Sequence, residues 1–251
     1  MNPDGPLIVQ SDRTVLLEVH HALADSARHA LAVFAELERA PEHMHTYRIT
    51  RLGLWNARAA GHTSEEILGT LEEYSKFPLP QGIAEEITDT IGRYGQIEIT
   101  RDGDDLFISC HTPAIEAEIT RTQKIKDLLG ERDDQGRYPL APWSRGLIKQ
   151  ELLKKGWPAA DHAGFAAGEP HDISLGDGDW SLRDYQKEAI HRFAQSGSGV
   201  VVLPCGAGKT IVGAGVMAEL DTTTLILVTN TVSARQWRAE LLAKTSLSED
   251  D

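Results

Sequence analysis

The chain has 251 residues, 41% hydrophobic and 25% charged, with 38 Asp and Glu against 25 Lys and Arg and a formal net charge of −13. That length admits one large domain or two small ones with buried cores, and that charge excludes a protein that coats nucleic acid by bulk electrostatics, so contact with DNA must come from local patches. No stretch is apolar for long enough to cross a bilayer, no basic segment precedes the first apolar run, and Cys110 and Cys205 lie far apart, which predicts free thiols in the cytoplasm (at the nucleoid in a bacterium) and no membrane partner.

In chain order, residues 7–10 and 14–19 predict a strand pair. From Ala22 to Leu37, the residues Leu23, Ala27, Ala30, Leu31, Phe34 and Leu37 recur at helical spacing, predicting one long helix closed by Pro41. Further helices are expected over 52–60, from Thr63, where Thr63 and Glu66 form a capping-box pattern, and over 82–93. Residues 95–110 alternate apolar and polar side chains about Asp102-Gly103, a hairpin pattern. Three helices and a hairpin predict a winged-helix-like module over about 47–110, inside an α+β N-terminal region spanning 1–130. Glu85, Glu86 and Asp89 in its third helix would repel phosphate, so protein contact or structural support is the expected role in preference to DNA reading.

Residues 131–178 turn rich in Gly, Pro, Asp and Ala and predict a linker around an amphipathic island at 142–158, with Leu147, Ile148, Leu152, Leu153 and Trp157 on its apolar side. Trp143 and Trp157 are expected to anchor that helix, with base stacking as the alternative. Two cation runs are candidate DNA patches: Arg121, Lys124 and Lys126, then Arg145, Lys149, Lys154 and Lys155. Their alternative is the solvated face of a helix.

A second domain is expected over 179–251. Tyr185, Ala189 and Phe193 share one face of a helix ahead of an apolar run, Val200 to Leu203, and the run leads into Pro204-Cys205-Gly206-Ala207-Gly208-Lys209-Thr210. The strict phosphate-loop pattern fails, because its first glycine would fall on Leu203. The shorter P-x-G-x-G-K-T remains, flanked by a predicted strand and a predicted helix. Its glycines let the backbone bend its N–H groups toward a polyphosphate over a helix N-terminus; Lys209 would reach the β and γ phosphates and Thr210 would offer its hydroxyl to Mg²⁺. Gln186 carries a donor and an acceptor side by side, matching the edge of adenine. Thr224 to Thr229 reads as a buried parallel strand, and Ser233 as the N-cap of a helix carrying Trp237 and Leu241 inward. Strand, loop, helix, strand, helix is the opening of a doubly wound α/β sheet, which places Asn230, Thr231 and Ser233, with Arg235, where they could bond a nucleic-acid backbone.

Together, LRDYQKEAI, LPCGAGKT and NTVSARQW resemble the adenine-reading, phosphate-binding and first DNA-contacting motifs of superfamily 2 helicases, and closely those of the XPB branch. The resemblance is strong over about 180–245. It implies an ATP-dependent 3′–5′ DNA helicase or translocase in DNA repair or transcription-linked DNA opening, with DNA and a repair nuclease or transcription and repair proteins as partners. It also implies a RecA-like P-loop ATPase domain, incomplete in this chain. By motif, Arg183 and Gln186 would hold adenine, Pro204, Cys205, Gly206, Ala207, Gly208 and Lys209 the phosphates, with Lys209 catalytic, and Thr210 the Mg²⁺. The chain reaches SLSEDD without an Asp-Glu box or a second ATPase domain, so the expectation is weak nucleotide binding at most, without hydrolysis or unwinding. The rival reading is a docking module attached to a partial, non-functional ATPase fold. A small-molecule kinase is disfavoured by Gln186 and by Gln236-Trp237, which a kinase does not need.

Overall fold

The computed structural model describes residues 4–166, 168–176, 178 and 180–249. The chain is mixed α/β and divides into two units, Met1–Gly164 and Phe165–Asp251.

The N-terminal unit opens with β1 (Leu7–Val9), β2 (Thr14–Glu18), α1 (Ala24–Leu31), β3 (Ala35–Arg39) and β4 (Met44–Ile49). Their strands form an antiparallel sheet in the order β1-β2-β4-β3. The helix expected as far as Leu37 ends at Leu31, and its last three residues, Ala35 to Leu37, belong to β3. Ala27 and Leu31 are buried, but Leu37 is 52% exposed. Residues 36 and 38 instead face polar partners: Glu38 accepts from Arg48 Nε and Nη2 at 2.6 and 3.3 Å, and Glu36 accepts from Thr50 Oγ1 at 2.8 Å. Those pairings favour an edge strand over continued helix.

Three helices follow, α2 (Arg51–Ala59), α3 (Ser64–Tyr74) and α4 (Ile83–Gly92); α2 packs on β3 and α3 on β1, and α4 packs against both helices. Each follows its local code. Thr50 Oγ1 caps α2 by accepting from Gly53 N at 2.9 Å, and Thr63 and Glu66 close the expected capping box at 3.1 and 3.2 Å. Ile67, Leu71, Ile83 and Ile87 join Leu7, Leu17 and Ile49 in one core. Trp55 is buried and donates its indole N–H to the Thr90 carbonyl at 2.8 Å.

The hairpin is β5 (Ile97–Asp102) and β6 (Asp105–Cys110), turned at Gly103, whose φ is 60°. After α5 (Pro113–Thr120) and α6 (Gln123–Lys126) come β7 (Tyr138–Leu140), a 3₁₀ turn (Pro142–Ser144), α7 (Arg145–Lys154) and β8 (Ala159–Asp161). A second sheet runs β7-β6-β5-β8, with β8 parallel to β5. Its core unites Ile97, Ile99, Leu106 and Ile108 with Ile148 and Leu152 of α7.

Two expectations change here. The hairpin is the centre of a sheet, with both edges taken by β7 and β8, so the parts of the expected winged-helix-like module belong to separate cores. Residues 138–161, expected to be linker and island, supply two strands and a core helix. Their composition is polar because short strands and one buried helical stripe need few apolar residues.

The second unit has α8 (Asp184–Ser196), α9 (Lys209–Leu220) and α10 (Thr231–Lys244). The expected strands over 200–203 and 224–229 are not formed. Val200, Val202, Leu225 and Leu227 are 89, 86, 83 and 84% exposed, and among the described residues no strand pairs with either segment. A strand is defined by its neighbour, and these two do not pair with each other. Isolated bridges, Pro170 to Thr222 and Leu175 to Thr245, tie the start of the unit to the residues after α9 and α10. Among the described residues no helix is long and apolar enough to cross a membrane.

Candidate nucleotide site

The loop between 203 and 209 is shaped by two glycines in the left-handed region, Gly206 at φ 77° and Gly208 at φ 78°, where other residues are strained. Gly208 is the N-cap of α9, so the helix starts directly on Lys209. A Cβ on Gly208 would lie 2.6 Å from Gln186 Nε2. The missing side chain is what lets α8 bring its glutamine onto the loop.

Gln186 is 5% exposed. Its Oε1 accepts from Arg183 N at 2.9 Å and its Nε2 donates to the Ala207 carbonyl at 3.0 Å. Tyr185 donates its hydroxyl to the same carbonyl at 2.9 Å and accepts from Arg183 Nη1 at 3.1 Å. Two donors on Ala207 O fix the loop crest to α8. The amide expected to face adenine thus bonds the loop backbone, leaving one lone pair and one N–H uncommitted. Lys209 bends back to donate to Leu203 O at 2.9 Å and Pro204 O at 3.1 Å, which holds its ammonium beside the loop.

Hollows border the loop. One of about 210 Å³ is lined by Trp180, Arg183, Gln186, Gly206 and Gly208, with Glu240 and Lys244 from α10. Another of about 480 Å³ is lined by Arg183, Tyr185 and residues Leu203 to Ala207. The fold therefore brings together Arg183, Gln186 and the whole loop Pro204–Thr210, with Cys205 exposed and Thr210 half-buried in the first turn of α9. Sequence reasoning missed Tyr185 as a loop partner, having read it as a packing residue. It also missed Trp180 and Lys244, whose ammonium lies 5.0 Å from the indole centroid, a pairing with no local signal.

At the start of α10 the cap is Asn230 and not Ser233. Asn230 is extended, φ −157° and ψ 162°, and its Oδ1 accepts from Ser233 N at 2.8 Å; Ser233 is already helical. Thr231 and Arg235 are exposed beside it, while Trp237 and Leu241 are half-buried.

The cation runs are divided by the fold. Arg145 donates to both oxygens of Asp161 at 2.7 and 2.9 Å and Lys149 adds a third bond at 2.9 Å, so this pair serves the α7–β8 corner. Burial alone would raise the Asp161 pKa; bonds from Arg145, Lys149 and the Ala163 N–H outweigh it and hold the carboxyl at about 2. Among the described residues no three His, Cys, Asp or Glu side chains are grouped to hold a metal.

Comparison with known proteins adds an independent line. Residues 7–134 match the family model described as helicase conserved C-terminal domain, and residues 179–250 match that of the type III restriction enzyme, res subunit. The chain is 55% identical over 249 residues to the DNA 3'-5' helicase XPB of Kineococcus radiotolerans, and equally to that of Mycobacterium tuberculosis; each alignment covers 99% of this chain and 45% of the relative. It is 30% identical over 262 residues to the general transcription and DNA repair factor IIH helicase/translocase subunit XPB of Antonospora locustae, covering 98% of this chain and 37% of the relative. The chain thus spans under half the length of these curated relatives.

Proposed function

The chain belongs to the XPB-type superfamily 2 helicases, and on that premise we propose that it carries the nucleotide-binding part of an ATP-dependent 3′–5′ DNA helicase or translocase acting in repair or transcription-linked DNA opening. The observation that carries the reading is the loop itself: two left-handed glycines, a lysine folded beside them, and a helix beginning at once.

A polyphosphate fits this arrangement. The first N–H groups of a helix lack intrahelical acceptors and carry its positive dipole end, and α9 presents that end under Gly206 and Gly208. Lys209 would exchange the carbonyls of Leu203 and Pro204 for phosphate oxygens, Thr210 would turn its hydroxyl to Mg²⁺, and Arg183 would border the base with Gln186. When bound, ATP with Mg²⁺ supplies the phosphoanhydride bond whose hydrolysis drives movement on DNA. Gln186 and Tyr185 set the position of the loop crest, so base recognition and loop geometry are joined in one helix. Asn230, Thr231, Ser233 and Arg235, at the start of α10, would meet a DNA backbone in the same helix-end manner. We assign the unit to the RecA-like P-loop class on the order of the loop Pro204–Thr210 and the helix α9. Repair or transcription proteins are the partners that accompany this reading.

The test is titration of the chain with a fluorescent ATP analogue and Mg²⁺. Saturable binding weakened about tenfold or more by Lys209→Ala is expected, since a charge-assisted contact is worth roughly 1.5–3 kcal/mol. Binding indifferent to that substitution would overturn the assignment.

A further inference from the structure

With Arg145 and Lys149 committed to Asp161, the remaining cations of α7 lie at its C-terminal end. There Gly156 N and Trp157 N donate to the carbonyls of Leu153 and Leu152, each at 3.0 Å, and Gly156 takes φ 79°. This glycine-terminated helix end leaves Lys154 and Lys155 exposed. From the other core of the same unit come Arg51, at the start of α2, and Arg93, just after α4. Both guanidinium groups close on Gly156: a Cβ there would sit 3.3 Å from Arg93 Nη1 and 3.9 Å from Arg51 Nη1.

Arg93 is fixed in place. It lies 5.1 Å from the Trp157 ring centroid and pairs with Asp89 at 3.2 Å. Arg51 is exposed and has no hydrogen-bond or ion-pair partner among the described residues. On the other side of the helix end, Lys154 pairs with Glu151 at 2.5 Å, and Lys124 of α6 and Lys155 add to the field that lowers the Glu151 pKa. Two cations at Gly156, Arg51 and Arg93, and three around Glu151, Lys124, Lys154 and Lys155, thus flank the C-terminal end of α7, in a chain whose net charge is −13. Like charges gathered about one helix end repel, and an anion spread along them removes the repulsion. The cations come from separate helices and lie about an exposed helix end, which suits an extended polyanion over a small one. Arginine forks suit phosphate oxygens.

We propose that Arg51, Arg93, Lys124, Lys154 and Lys155 form a contact surface on the N-terminal unit for the phosphodiester backbone of nucleic acid, read without regard to base sequence. The choice of nucleic acid as the polyanion rests on the helicase reading above, while the clustering of charge does not. Such contacts position a strand without specifying it.

The experiment measures binding of the full chain to a fluorescein-labelled DNA duplex of mixed sequence by anisotropy across a KCl series. Affinity should fall steeply with salt. Arg51→Ala with Lys155→Ala, two exposed side chains without ion pairs, should weaken binding about tenfold or more near 0.1 M salt and flatten the logarithmic salt slope by about two. Arg39→Ala with Lys76→Ala removes the same charge elsewhere on the unit and should change affinity less than about twofold. Absent salt-dependent binding, an unaffected double variant, or an equal loss in the charge-matched control would each overturn the proposal. ATP-analogue binding is measured on the same samples, so if it survives while the DNA effect fails, only this surface is lost and the nucleotide site stands.

Discussion

Replacing Asp161 with asparagine should destabilise the N-terminal unit by an amount set by its ion contacts. The side chain is 11% exposed and takes two bonds from Arg145, one from Lys149 and one from the Ala163 N–H. Its carboxyl sits at about 2 against a reference of 3.8, a little under two pH units, which corresponds to about 2 kcal/mol. The replacement amide would meet the same two cations with no charge and with an N–H₂ of its own, so a loss of about 2 kcal/mol at pH 7 is expected. Because the folded pKa is the lower one, this stabilisation is complete well above pH 4 and disappears as pH falls toward 2. At pH 3 about half of it should remain. Urea unfolding followed by tryptophan fluorescence, with Trp143 and Trp157 on either side of α7, gives the difference between the two proteins at each pH. A difference below about 0.5 kcal/mol at pH 7, or one as large at pH 3 as at pH 7, would refute the assignment of Asp161 as the hub of this corner.

Gln186→Ala should loosen the loop by removing one of the two donors on Ala207 O and the acceptor for Arg183 N; hydrogen exchange over 204–209 should quicken, and unchanged exchange would show that Tyr185 holds the loop alone. In Gly215→Ala the new Cβ would fall 2.2 Å from Ile190 Cδ1, so a loss of about 1–3 kcal/mol from the second unit is expected. Adding Ile190→Val removes that methyl and should restore most of the melting temperature, a rescue that simple loss of helix backbone freedom would not produce.

What could be read from sequence follows the range of the interaction involved. The capping box of Thr63 and Glu66 and the hairpin turn at Gly103 are settled by residues a few positions apart, and both form as expected. The candidate site is legible for the same reason, since seven consecutive residues build the loop and Gln186 reaches it from one neighbouring helix. The strand β3 was hidden because Phe34 and Leu37 continue a helical spacing, while the side chains that decide its state, Arg48 and Thr50, lie beyond it. The short strands β7 and β8 owe their existence to β6 and β5, about 30 to 60 residues earlier. The apolar runs at 200–203 and 224–229 fail for the converse reason: hydrophobicity makes a segment suited to a sheet interior but cannot supply the neighbouring backbone.

The two bare positions on α9 have a mechanical meaning. A Cβ on Gly213 would strike Trp237 at 2.5 Å, as one on Gly215 would strike Ile190, so α10 and α8 each bear on the backbone of α9 with no side chain between them. A helix clamped in this way has no slack along its length. A larger residue at either position would lever α8 or α10 off α9, so these two bare positions set the spacing at which the loop before α9 and the head of α10 at Asn230 are held.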